Sequence, residues 1–496
     1  MIERITAAYE HALQAVLFDV SNRGIRIDIE RIKHGREVVR AEIARNLAIA
    51  SNQWGCTVFI GAENEPADSD GAANINATQG KFALLKKLKD LGYNVPKIAK
   101  KNDEGEYESE YSTGELALQK MLSTNQFNYP GGDPAIKSVL KIRELGKLKS
   151  GYLNARLLNR GGEPYYLSIY NAAGTITGRR SSKKHTFGLG GNGQNFPKHT
   201  DLAALFAECL IAREGHIFLF VDQIQAEDWP VSALAQNHQA LNDLRAGVDR
   251  HTKLASMLFG IAIASRTEKQ WKDSMERFLG KKVRHANNYD MKAPRMADEL
   301  AKEGHAIEEP KCAFLLNKMA QIDPNVKGVF HKYVQDVINA TRILTTPFGR
   351  ERQALSIRPG DTNSQKFKEL YAFIPQSTVG DNTGFSLLRL ESDYPPEERA
   401  CVQEGHDSIT QDVVAVPDTI YKCLCRTATA FKRTIRFHNG IEVEIPIEAE
   451  LGYNFLTKVK IKDFSLQGVK EALQKLNDLT SKGSSPSATA VASSAV

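Results

Sequence analysis

The run HIFLFVD at residues 216–222 constrains this chain most, because five successive apolar residues ending in an acid do not suit a solvated face. A short continuous apolar stretch of this kind reads as a buried strand. Residues 225–345 read as mostly helical, and 162–200 as Gly-rich and irregular. The sheet around HIFLFVD is therefore assembled from distant strands, with helical blocks interrupting it: an α+β enzyme with inserted helical lobes. Residues 2–50 read as helical with a break at SNRGIRID, where Gly24 marks a turn and Ile25 and Ile27 alternate as in a short strand. Residues 75–155 read as several helices separated by polar loops, LKIRELGKLKSGYLNARLL among them as a basic amphipathic helix. Asn439-Gly440 predicts a hairpin turn between alternating segments. The last residues, SKGSSPSATAVASSAV, cannot build a core and predict a disordered tail over 481–496.

At roughly 150 residues per domain, 496 residues allow about three domains or one multi-lobed enzyme. A composition of 42% hydrophobic and 25% charged residues excludes a wholly disordered, collagen-like or disulfide-scaffold chain. Six scattered cysteines (Cys56, Cys209, Cys312, Cys401, Cys423, Cys425) show no zinc spacing, which predicts reduced thiols and no structural metal. No apolar run reaches the roughly 18 residues of a membrane span. MIERITAAYEH lacks the apolar centre of a secretory signal.

The net charge of +6 is mild, but its placement is not. From Lys141 to Lys198 there are 11 Lys or Arg residues and two acids, Glu144 and Glu163. A solvated helix face mixes signs, so a one-signed stretch favours an anionic partner. A second basic cluster follows at Arg277, Lys281, Lys282 and Arg284.

Four constellations carry chemistry. Asp222 closes the buried strand; taken alone it reads as the cap of the next helix. Asp407, in EGHDSI, is a second carboxylate ahead of a β-type segment. Two such carboxylates can hold magnesium together with substrate phosphates, and two ions can clamp an in-line phosphoryl displacement. Spacing alone does not show that the two meet. Arg277, Lys281, His285 and Tyr289 recur every fourth residue, which makes one helical stripe suited to phosphates, sugar and base, or a plain basic face. Asn287 and Asn288 on the same helix predict that it is not buried. AGTITGRRSSKKH and GGNGQNFPK combine glycines with Thr, Ser, Asn and Arg, a phosphate- and sugar-contacting loop or a flexible basic one.

Taken in order, these segments resemble the polymerase portion of the family A DNA polymerases, the bacterial DNA polymerase I and phage group. TGRRSS and QNFP resemble the TGR-LSS…QNIP segment, and VDQIQAE resembles motif A. The R-x3-K-x3-H-x3-Y stripe resembles motif B, FIPQSTVGD the helix with the minor-groove Gln, HDS motif C, and VEIPIEAELGYNF the C-terminal palm strands. LFDVSNRGIRID, NINATQGKFALLKKLKDLGY and IRELGKLKSGYL agree with the start of the palm and the thumb. Six short motifs in one order make coincidence a poor explanation.

The resemblance implies a right-hand polymerase fold: a palm-edge segment at 1–30, thumb at 31–160, palm with motif A at 161–245, fingers at 246–345, and palm with motif C and the C-terminal hairpin at 346–480. It implies template-directed addition of dNTPs to a primer 3′-hydroxyl with two Mg2+ ions, replaceable by Mn2+, on Asp222 and Asp407. Glu227 would sit under the sugar, with Gln225 beside the nucleotide. Arg277 and Lys281 would hold its phosphates, with Lys281 as general acid. His285 would face the deoxyribose, Tyr289 stack near the templating base, and His251 contact the nucleotide. Arg179, Gln376 and His406 would probe the minor groove, and Gln194 and Asn195 the nucleic-acid backbone.

Implied partners are primer-template DNA, dNTPs and a separate exonuclease, helicase or processivity factor, in the cytoplasm of a bacterial or phage-infected cell and away from membranes. Three departures point to the phage side: Asp290 in place of Gly, Ser408 in place of Glu, and Ile224 in place of Ser. Ser408 removes a third carboxylate. Two other readings share the fold, a single-subunit RNA polymerase and a non-catalytic DNA-binding protein; Glu227 argues against the first, and the pair Asp222 and Asp407 against the second. Fewer than about 20 residues precede LFDVSNRGIRID, well short of a typical domain, so no 3′–5′ exonuclease is expected in this chain.

Overall fold

A computed structural model describes residues 4–61, 72–76, 82–101, 107–124, 132–197, 201–361 and 364–482. The tail expected to be disordered falls almost wholly outside these residues, as do Lys198 and residues 77–81 of the thumb-like segment.

The apolar run forms the strand His216–Gln223 at the centre of a five-stranded antiparallel sheet. On one side lie Ser408–Val414 and then Cys401–Glu404; on the other lie Ile447–Gly452 and then Val459–Lys460. Ile217 through Val221 are all buried, as a strand covered on both faces requires. Phe218 and Phe220 each pack edge to face against Phe455 on one side of this strand. The Asn439-Gly440 turn is present, with Gly440 at φ +81°, but its ladder is short: Ile435–Arg436 against Glu442–Val443. The chain then leaves the hairpin, and Ile447–Gly452 joins the central sheet instead.

A second sheet orders Leu210–Ile211, Ile25–Ile27, Glu163–Tyr166 and Leu158–Arg160. The helix Ala7–Arg23 ends at Gly24, whose φ of +65° disfavours any other residue. A β-carbon there would lie 2.8 Å from the Tyr166 carbonyl oxygen and collide with the Leu167 side chain.

The helix Ser364–Ser392 runs through Pro375. Its middle carries Ser377, Thr378, Asp381, Asn382, Thr383 and Ser386, all fully buried. Buried polar groups need partners, and several of these find them on the segments around the site. Asp381 takes a bidentate pair from Arg350, which also reaches Glu10. Asn382 donates to Gln223 at 2.7 Å and accepts from Arg433 at 2.6 Å.

The chain divides into two compact units, 1–32 with 154–248 and 325–496, and 33–153 with 249–324. The first holds both sheets. The second has one core around Trp54, Ile75, Leu84, Leu118 and Ile136, and another around Leu254, Leu279, Val283, Met296 and Leu315. Within it, Lys120 on the helix Glu115–Thr124 pairs with Asp298 on the helix Ala293–Lys302 at 2.7 Å. Residues 84–153 include the helices Leu84–Asp90, Glu115–Thr124 and Pro134–Leu148, the last extended by a wider turn over Lys149–Leu153. They also include an antiparallel pair, Lys97–Lys101 with Tyr107–Tyr111, which the helical reading of this region missed.

Candidate active site

Strand register brings the two candidate carboxylates to one place. Asp222 lies opposite Ser408 on one neighbouring strand and Glu448 on the other. Asp407 immediately precedes that Ser408, and its carbonyl accepts from the Gln223 N–H at 3.2 Å. Asp222 and Asp407 line one cavity of about 440 Å3, together with Gln194, Gln403, Ser408, Glu448, Glu450 and Lys458. Asp222 is exposed and Asp407 half-buried. Burial raises the Asp407 carboxyl above its ordinary value; Glu227 and Glu404 push the same way, while a backbone N–H and Arg179 oppose them. Such a site gains from a cation. Among the described residues no three His, Cys, Asp or Glu side chains converge as a metal cage. Two carboxylates beside an open cavity fit a hard cation that keeps waters and takes the rest of its oxygens from substrate phosphates.

Glu448 and Glu450 were not singled out in the sequence. Their alternation with Ile447, Ala449 and Leu451 reads as the polar side of a strand, and only the register sets Glu448 against Asp222 and Glu450 against Phe220. They add acidity where Ser408 removes it. Glu448 pairs with Lys460, and Lys458 lies over the Phe220 ring at 3.7 Å.

The turn carrying Asp407 is held tightly. His406 has φ +64°, a left-handed conformation that costs a non-glycine residue about 1–3 kcal/mol. Its N–H donates to Glu404 at 3.1 Å, and its carbonyl accepts from Arg180 at 3.2 Å and Thr383 at 3.0 Å. Arg180 and Glu404 are fully buried and paired at 2.6 Å. Gln194, which also lines the cavity, donates its amide to Glu404 at 2.6 Å. Asn195 beside it is exposed. Arg179 pairs with Glu227. Gln225, at φ +48°, donates to the Val248 carbonyl at 3.0 Å. Gln376 is half-buried on the long helix, next to Ser377, whose hydroxyl donates to the Thr177 carbonyl of the TGR segment.

The stripe lies in the second unit. Arg277, Lys281 and His285 share the helix Met275–Asn288, capped by the Ser274 hydroxyl. Lys281 and His285 are exposed. Tyr289 has left helical geometry (φ −117°, ψ 20°), yet its ring stays 4.9 Å from that of His285. The expectation that this helix avoids burial fails on its other face: Arg284, Asn287 and Asn288 are 4%, 1% and 4% exposed. That face packs on the helix Arg250–Phe259, and Gly280 permits it, since a β-carbon would sit 3.2 Å from the His251 carbonyl. Asp249 caps that second helix, accepting from the His251 and Thr252 N–H groups, and pairs with Arg277 at 2.7 Å. His251, half-buried, thereby lies two residues after Asp249, the carboxylate that holds Arg277. Asp290 has φ +51°, which explains why glycine suits this position; its carboxylate is bound by Lys292.

The sequence profile of DNA polymerase family A matches residues 65–456. The chain is similar to the thermostable DNA polymerase I of Thermus aquaticus, with 24% identity over 89% of this chain and 47% of the relative. Its similarity to that of Thermus filiformis is 27% over 65% and 36%. A DNA polymerase of Bacillus phage SP01 is 23% identical over 91% of this chain and 51% of its own length. The chain thus spans about a third to a half of these curated relatives. Among solved structures, the POL domain of Pol1 from M. smegmatis, in complex with DNA primer-template and dNTP, superposes with a TM-score of 0.68 at 17% identity, covering 90% of this chain and 70% of that one. Among the described residues, no helix is long and apolar enough to cross a membrane.

Proposed function

The chain belongs to DNA polymerase family A, and we propose that it is a DNA-directed DNA polymerase, extending a primer 3′-end on a template with dNTPs and releasing pyrophosphate. The observation that carries this reading is the register that sets Asp222 beside Ser408 and next to the Asp407 turn, on one cavity. Asp222 and Asp407 would hold two magnesium ions, with manganese as a substitute. Bound there, such cations supply charge stabilisation to the attacking and leaving oxygens of an in-line displacement at the α-phosphate.

The chain's own groups do the rest. Arg277 and Lys281 place cations on the triphosphate, and Lys281 hands a proton to the departing pyrophosphate. Glu227 underlies the sugar and disfavours a 2′-hydroxyl, and its pairing with Arg179 holds it in place. His251 and Gln225 contact the nucleotide, His285 faces its deoxyribose and Tyr289 stacks at the templating base. Arg179, Gln376 and His406 read the primer terminus from the minor groove, and Gln194 and Asn195 meet the nucleic-acid backbone. The setting is the cytoplasm of a bacterium or phage-infected cell, with further replication proteins as partners. The palm, thumb and fingers limits given above stand as part of this proposal.

The test is primer extension on a defined template with magnesium, comparing dNTPs with rNTPs. Extension with dNTPs supports the proposal. Extension with rNTPs alone, or DNA binding with no extension at all, defeats it.

A further inference from the structure

We infer that Arg180, Glu404 and Gln194 form a buried clamp whose task is to hold the left-handed His406 peptide and so aim Asp407 into the cavity; this rests on the proposed role of Asp407 as a metal ligand. Arg180 and Glu404 are both fully buried, whereas the pairs Arg23–Glu391 and Arg350–Asp381 each leave the arginine partly exposed. Burying two charges brings a desolvation cost that mutual attraction alone does not reliably offset. Here the pair grips the His406 turn and ties it to the long helix and to Gln194. Arg180 donates to Glu404 at 2.7 Å, to the Gly380 carbonyl at 2.6 Å and to the His406 carbonyl at 3.2 Å. Glu404 accepts from the His406 N–H at 3.1 Å and from Gln194 at 2.6 Å. The His406 residue is thus gripped at its nitrogen by the carboxylate and at its oxygen by the guanidinium.

The grip matters because of what lies on either side of it. His406 sits in a conformation that its own backbone disfavours. Asp407 follows directly, with its N–H turned to the Gly405 carbonyl at 2.7 Å. Gly405 closes the turn, its N–H donating to the Ser408 carbonyl at 2.9 Å. If the clamp is released, the His406 carbonyl keeps only its Thr383 partner and its N–H loses Glu404, so His406 relaxes toward a right-handed or extended conformation and the Asp407 side chain swings with it. Asp222, fixed by two strand partners, does not move. Arg180 and Glu404 are therefore positioning residues acting through the His406 peptide, with Gln194 securing the far oxygen of Glu404. Gln194 thus has a task within the protein besides the nucleic-acid contact proposed for it.

The experiment compares the parent chain with Arg180→Leu, Glu404→Gln and the double variant. Each single change strands one buried charge and lowers the melting temperature. The double change removes both charges, and its melting temperature returns toward the parent's. The clamp predicts that the refolded double variant still has kcat lowered by about 10-fold or more, and a half-saturating magnesium concentration raised by a similar factor. KM for dNTP and primer-template affinity stay within about twofold. Amide hydrogen exchange in 405–408 is faster while that of strand 217–221 is unchanged. A double variant with parental melting, kcat, magnesium dependence and exchange overturns the clamp and leaves the pair purely structural. Should the double variant not fold, Gln194→Leu decides: accelerated exchange at 405–408 and a weakened magnesium response support the clamp, and parental values for both overturn it. The exchange arm needs no activity, so a chain that fails to extend primers refutes the proposed function without touching this result.

Discussion

Replacing Asp249 separates two jobs done by one carboxylate. As the cap of the helix Arg250–Phe259 it accepts from two backbone N–H groups, and as an ion-pair partner it holds Arg277 at 2.7 Å. Asn caps as well as Asp does, so Asp249→Asn removes only the charge, whereas Asp249→Ala removes both functions. The pair is part-exposed, 22% for Arg277 and 36% for Asp249, so its share is discounted to about 0.5–1 kcal/mol. The cap adds about 1 kcal/mol, so Asp249→Ala costs about 1.5–2 kcal/mol. Trp54 and Trp271, two of the three tryptophans, lie buried in the same unit, so fluorescence-monitored urea unfolding reads the right transition.

The pH sign follows from the shift. Burial opposes the charged form of Asp249, but hydrogen bonds from Arg277 and Thr252 outweigh it and hold the carboxyl below its usual value. The charge-dependent stabilisation is fully present above the unfolded-state value near pH ~4, and it disappears as pH falls through the lower folded-state value. The gap between parent and Asp249→Asn therefore narrows as the pH is lowered from about 5 toward 3. Freed from Asp249, Arg277 also changes its hold on the triphosphate, and KM for dNTP moves by up to about fivefold. Equal losses for Asn and Ala, or a gap that widens in acid, would refute the division of labour.

Asp222→Ala and Asp407→Ala each reduce extension by about 1,000-fold or more while primer-template affinity, carried by cation–phosphate contacts, stays near parental in a binding titration. Lys281→Ala lowers the single-turnover rate by about 10–100-fold, since an exposed cation aimed at leaving-group charge is lost; an unchanged rate with weaker DNA binding would instead mark a DNA-contact face. His285→Phe alters the ratio of dideoxynucleotide to dNTP incorporation, and a constant ratio would show that the ring does not pass the sugar. Gly24→Ala lowers stability by about 1–3 kcal/mol in urea unfolding, because it combines a disfavoured φ with collision at Leu167 and Tyr166.

What could be read without coordinates was local. The five-residue apolar run declares a strand covered on both faces because each residue reports its own burial. Gly24 and Asn439-Gly440 mark their own turns because those depend on neighbours within a few residues. The ordered motifs likewise carried the family and its candidate residues. Whatever depended on pairing between distant segments was decided only by the fold. Nothing in EIPIEAELG tells that it leaves its hairpin to lie against HIFLFVD, and that pairing alone sets Glu448 against Asp222. The same limit hid the buried polar face of Ser364–Ser392, whose Asn382 and Ser386 find partners at Gln223 and Ala430, far away in the chain. It also concealed Arg180, which looks like one more cation in a basic loop. Its charge is affordable in the interior only because Glu404, more than two hundred residues later in the chain, folds back to meet it.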